Sequence, residues 1–147
     1  MSILDNLRQV KRELLDEKHP LANETIQFRK TYAIGYAMLV CVNGYPSEMA
    51  KDALKKQIAL LDLPTEFKKL AIAAALEADP QAVHNLLQQL KDTRHQYIFM
   101  LDLYDYAQKD RKITEKEQEL LVLFEELLKL SYEEVQFIRG FRLAMLK

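Results

Sequence analysis

Glycine, proline, cysteine and tryptophan are scarce in this chain: 147 residues hold 3 glycines, 4 prolines, 1 cysteine and no tryptophan. Glycines at 35, 44 and 140 are too scattered for the phosphate-cradling loops of dinucleotide or P-loop sites. Few glycines and prolines also mean few, short loops. A single cysteine excludes a disulfide framework within the chain and a cysteine-based zinc site. Cys41 sits in the apolar run Met38-Leu39-Val40-Cys41-Val42, where a small buried hydrophobe is its expected role. The longest apolar stretch, Ala33 to Val42, is too short to cross a bilayer. Residues 1–20 are amphipathic and mixed in charge, without the apolar core of a secretory leader, so cytoplasm is the expected location. Charge of one sign is lacking too. With 21 basic and 22 acidic residues the net charge is −1, which leaves no cationic excess for nucleic acid.

Catalytic patterns are equally absent. No serine stands in a G-x-S-x-G elbow, and Cys41 has no histidine or acid near it in sequence. His19, His84 and His95 form no i, i+4 pair, so each is expected to be solvated or incidental. The chain is therefore expected not to be an enzyme.

What is present is helical periodicity. Hydrophobic residues make up 49% of the chain, enough for one core. No segment alternates with period two, so no strand is expected. Ser2 to about Glu17 presents Ile3, Leu4, Leu7, Val10, Leu14 and Leu15 on one face, and His19-Pro20 stops that helix. Asn23 is the expected cap of a second helix to about Val42, stopped by Asn43-Gly44. Small residues at 33, 35 and 37 predict a close crossing with another helix. Ser47 caps a third helix to Leu61, and Pro64 opens a fourth to about Ala78. Asp79-Pro80 opens a fifth to about Lys91, and Asp92 or Thr93 a sixth to Gln108. Thr114 with Glu117 has capping-box spacing for the seventh, as has Ser131 with Glu134 for the eighth.

The chain also nearly repeats itself. A shift of 67 positions lays Ser47-Glu48 on Thr114-Glu115, Leu54 on Leu121, Leu60-Leu61 on Leu127-Leu128, Leu63 on Leu130 and Glu66 on Glu133. A repeat constrains architecture before any single residue does. The expected fold is all-α: one domain over 1–147, a bundle of about eight helices built from two three-helix units around a pseudo-two-fold. Residues 1–22 form an N-terminal helix, 23–78 the first unit, 79–91 a connector and 92–147 the second unit.

The second unit carries a resemblance. Ala107, Asp110, Ile113, Thr114 and Glu117, then Leu128, Leu130, Ser131 and Glu134, fall in register with the turn and the Leu-x-Leu-Ser stretch of tellurite-resistance TerB-like helical domains. Val40, Asn43, Gly44, Pro46, Ser47, Leu61, Leu63 and Pro64 resemble a degraded first copy. The resemblance implies an interaction module of the kind found in tellurite and stress-response loci and on membrane-anchored DnaJ-type co-chaperones. It also implies divalent-metal binding by acidic residues of the repeated turns. The chain departs from the Asp-Gly pair in both copies: Asn43-Gly44 loses the carboxylate and Asp110-Arg111 loses the glycine, which argues against a symmetric two-turn metal site.

Three candidate chemistries remain. Asp102 and Asp105 share a helix face, and with Asp110 and Glu117 they form an oxygen-rich set suited to Ca²⁺ or Mg²⁺. The alternative for Glu117 is capping. Tyr97, Leu101 and Tyr104 follow one helical face. Tyr106 points away from Tyr104, so Phe99, Tyr106 and Val122 are candidate exposed apolar groups of a partner groove. Finally, residues 115–134 hold seven acids against two lysines. Glu115, Glu119 and Glu126 are then either a solvated face or a docking surface for a basic partner. The expected partner is a protein, with no nucleic acid and no membrane insertion; a homo-oligomer is compatible with the pattern.

Overall fold

The computed structural model describes residues 2–14, 19–77, 79–108 and 113–145, with side chains left aside at 11–14 and 141–145. The described residues form eight helices and no strand: α1 (Ile3–Leu14), α2 (Ile26–Val40), α3 (Glu48–Leu60), α4 (Phe67–Glu77), α5 (Pro80–Leu90), α6 (His95–Gln108), α7 (Glu115–Leu127) and α8 (Tyr132–Met145). None is long and apolar enough to cross a membrane.

α2 and α6 pack against each other at the centre. α2 also touches α3, α4, α5 and α7, and α6 touches α1, α5, α7 and α8. Their sequences explain the placement, because both are apolar on more than one face and must be surrounded. From Tyr32 to Val40 only Ile34 on α2 escapes burial, and α6 is buried without a break from Gln96 to Leu101. One core cluster runs from Leu7 on α1 to Ile138 on α8. The expected close crossing at Gly35 is present. A Cβ there would lie 2.5 Å from Leu86 Cδ2 and 2.9 Å from Phe99 Cε1, so only glycine admits α5 and α6 to this distance from α2.

Helix starts follow local chemistry. Ser47 Oγ accepts from Ala50 N–H, and Asp79 accepts from Gln81 N–H ahead of Pro80 at N1. Thr114 and Glu117 form a reciprocal capping box, and Ser131 and Glu134 exchange the same two bonds. Thr93 Oγ1 accepts from His95 N–H at the start of α6. Two starts differ from expectation. Thr25, rather than Asn23, caps α2 by accepting from Phe28 N–H, because Leu21–Glu24 closes its own turn first. α4 begins at Phe67 rather than near Pro64: Phe67 N–H and Lys68 N–H bond back three residues to Pro64 and Thr65, which makes a tight turn before the helix.

The 67-residue register extends to the backbone. α3 and α7 begin and end 67 positions apart. Each ends in the same motif. Leu63 N–H bonds Ile58 C=O and Asp62 N–H bonds Ala59 C=O; Leu130 bonds Glu125 and Lys129 bonds Glu126 in the same way. This is the Schellman pattern, which needs a left-handed residue after the helix. Asp62 (φ 58°) and Lys129 (φ 57°) supply it without being glycine.

Candidate functional site

Among the described residues, three polar staples link the helices, each with a carboxylate at its centre. The largest gathers on Asp102 of α6. His19 Nε2 lies 2.7 Å from its Oδ2, Gln57 Nε2 of α3 donates to the same oxygen at 2.9 Å, and the Tyr32 hydroxyl of α2 donates to it as well. The His19 tautomer follows from its other nitrogen. Leu21 N–H donates to Nδ1 at 3.0 Å, so Nδ1 carries no proton and the Nε2 proton points at Asp102. One oxygen thus ties together the turn after α1, α2, α3 and α6. Burial, then the Asp102 charge and hydrogen bond, pushes the Tyr32 hydroxyl well above its usual pKa; burial and the same charge raise Tyr36.

The second staple joins α6, α7 and α8. Tyr104 donates to Glu125, Arg139 Nε donates to the Tyr104 hydroxyl at 2.9 Å, and Arg139 Nη2 lies 3.7 Å from Glu125 Oε1. Burial raises the Glu125 carboxyl despite both partners. In the third, Tyr97 donates to Glu134 at 2.7 Å. Burial and that bond push the Tyr97 hydroxyl up to about 12.

These staples give several candidate residues a different role from the expected one. His19 is not incidental: it is buried and bonded through both ring nitrogens, and His95 Nε2 lies 3.2 Å from Glu24 Oε1. Asp102 has one oxygen filled by three donors, a surrounding built for an anion rather than for a cation. Asp105 is half-buried on the same helix, and Glu117 is buried and closes the Thr114 cap. Asp110 lies outside the described residues. Among the described residues no group of three or more His, Cys, Asp or Glu is placed to hold a metal ion.

Of the expected partner-binding residues, Phe99 is a correction. It is fully buried, edge-on to Tyr32 and to Phe124, because α6 is enclosed from Gln96 to Leu101. Tyr106 does not stand free either; it is half-buried with its ring edge-on to Tyr36 at 5.8 Å. Val122 is half-buried and lines a shallow depression with Gln118, Glu119 and Leu123. Glu115, Glu119 and Glu126 are exposed along α7.

Next to that acidic stripe lies an open apolar groove of about 360 Å³. It is lined by Met38, Cys41 and Val42 at the end of α2 and by Phe124 of α7, of which Met38, Cys41 and Phe124 are buried. Ala75 and Leu76 of α4, Val83 of α5, and Leu120, Leu123 and Leu127 of α7 complete the lining. Burial raises the Cys41 thiol above its usual pKa, as an apolar surrounding requires. Leu76, Leu123 and Leu127 are 46%, 52% and 47% exposed, so three large side chains project into solvent around one depression. An α-helix turns about 100° per residue. Glu115, Glu119, Val122 and Glu126 therefore share one stripe of α7, and Leu120, Leu123, Phe124 and Leu127 the neighbouring one.

The sequence signals this groove in one respect. Residues 120–124, Leu-Leu-Val-Leu-Phe, cover more than a full helical turn. A helix that is not central cannot bury every side of such a run. Which neighbours complete the groove depends on α4 and α5, far away in sequence. No family model, curated protein or solved structure matches the chain.

Proposed function

We propose that this chain is a non-enzymatic protein-interaction module that docks a partner in the apolar groove between α2, α4, α5 and α7. The observation that carries the reading is the cluster of Leu76, Leu123 and Leu127, each about half exposed around one depression. Single exposed leucines are ordinary on a protein surface, but a contiguous patch rimmed by polar residues marks an interaction site. Leucines that lean outward at the mouth favour a macromolecular partner, since a small guest on the buried part of the lining would leave them wet.

The TerB-like kinship belongs to the same proposal, with two three-helix units related by a pseudo-two-fold and a cytoplasmic role in a stress-response or envelope-associated complex. Its support is the shared 67-residue register of caps and Schellman turns in α3 and α7, together with the Asn43 amide that donates to Thr114 Oγ1 at 3.3 Å, joining the two turns. The test is site-specific photo-crosslinking in cells with the crosslinker at Leu123 or, as control, at Lys55, exposed on α3. A partner captured at Leu123 is then purified. It is expected to bind the wild type and to lose binding to Leu123→Gln/Leu127→Gln. Equal capture at both positions, or unchanged binding by the double variant, would overturn the proposal.

A further inference from the structure

We infer that the occupant of the groove is an amphipathic helix of a partner protein, apolar on the face it inserts and carrying Lys or Arg along the flank that meets α7. This rests on the groove being the docking surface.

Two observations select that chemistry. The first is architecture. Among the described residues there is no strand, hence no sheet edge on which an extended peptide could pair its backbone. Of the recurring recognition modes, the one open to a depression walled by helices is a helix laid into it with anchors at i, i+3 or i+4, and i+7. The second is charge. Among residues next in sequence to the lining ones, the charged side chains are Glu77, Glu119, Glu125 and Glu126, with His84 the other titratable neighbour. Glu125 is turned inward to Tyr104 and Arg139. Glu77, Glu119 and Glu126 are exposed, as are Glu115 on the same stripe and Asp79 at the start of α5. α7 itself carries a single lysine, Lys116, which stands at the N-terminal end of the leucine stripe, one turn before Leu120, and leaves the carboxylates in excess. A docked helix thus has carboxylates beside its apolar seam, where cations on the partner gain attraction and anions are repelled. The whole chain is close to neutral at −1, so this preference is local to the groove and not a consequence of overall charge.

The experiment titrates the full chain with two synthetic helical peptides of identical leucine spacing, one with lysine and one with glutamate at the polar positions. Binding is read by anisotropy and located by methyl NMR. The lysine peptide is expected to bind at least about tenfold more tightly, shifting Met38, Leu76, Val83, Leu123 and Leu127. Added salt should weaken it, because exposed charges are screened. Glu119→Lys/Glu126→Lys should cut its affinity about tenfold, and both positions are exposed, so the fold is expected to persist by circular dichroism. Equal affinity of the two peptides for the groove would overturn the charge preference and leave the docking surface standing. Shifts outside the groove, binding unchanged in Leu123→Gln/Leu127→Gln, or no binding of either peptide would overturn both.

Discussion

Replacing Gly35 by alanine is expected to destabilise the protein, against the ordinary rule for helices. In an exposed helix the change gains about 1 kcal/mol, since glycine loses more backbone entropy on folding. Here the new Cβ would sit 2.5 Å from Leu86 Cδ2 and 2.9 Å from Phe99 Cε1. Ordinary contact lies about 1 Å beyond the first of these distances. Leu86 and Phe99 are 1% and 0% exposed, so neither has open space to move into. Overpacking of this kind costs about 1–3 kcal/mol, and two simultaneous clashes place Gly35 in the upper part of that range. Offset by the propensity gain, the net loss is about 1–2 kcal/mol. That is roughly 3–6 °C in Tm for a chain of this size. Gly140 on α8 supplies the control, because a Cβ there meets nothing within 4 Å. Gly140→Ala should raise stability by up to about 1 kcal/mol. Urea unfolding followed by circular dichroism measures both. If Gly35→Ala proved as stabilising as Gly140→Ala, the α2–α5–α6 crossing would not be close-packed and the reasoning would fail.

Other outcomes follow from single contacts. Thr114→Ala removes the cap and orphans part of the box with buried Glu117, at a cost of about 1–2 kcal/mol by denaturant titration. Asp102→Ala strands the donors of His19, Tyr32 and Gln57 and should cost roughly 3 kcal/mol, well above the loss for the exposed Asp52→Ala. Glu125 has a raised carboxyl, so its folded form favours the proton. Its contribution is full below the ordinary value of 4.5 and is lost as pH rises through the raised one. The stability of the wild type relative to Glu125→Gln should accordingly fall with rising pH across that window and level off above it. Tyr32, Tyr36, Tyr97 and Tyr104 all have hydroxyls raised above 10, so the stability they confer is complete below pH 10 and lost above it. Phenolate absorbance should show these four ionising together with the loss of helical circular dichroism, and ionisation within a fully helical protein would contradict this.

Local signals in the sequence carry far and long-range ones do not. Ser47, Asp79 and Thr114 act as caps because capping is settled within three residues. Gly35 marks a crossing because glycine weakens a helix interior, a cost that close approach of a neighbouring helix offsets. The Asn23 expectation fails on equally local grounds, since a turn at 21–24 competes for the same backbone. The role of His19 is hidden in the sequence because its acceptor is 83 residues away and nothing in either neighbourhood announces the pairing. Phe99 is buried against expectation because spacing on α6 shows where its side chains point and not how many helices surround it. The carboxylates of α7 and the apolar run at 120–124 are both visible in the sequence. That Leu76 and Val83 complete a groove with them requires the packing of α4 and α5.

Hydrogen exchange of the full chain, with and without the partner captured at Leu123, tests the groove most directly. Protection is expected over residues 120–127 of α7, the end of α4 at 75–77 and the start of α5 at 80–83, with the exchange of α3 unchanged. Protection centred on α3 or on the turn at 19–24, with those three segments unaffected, would contradict the claim that the groove is where this protein meets its partner.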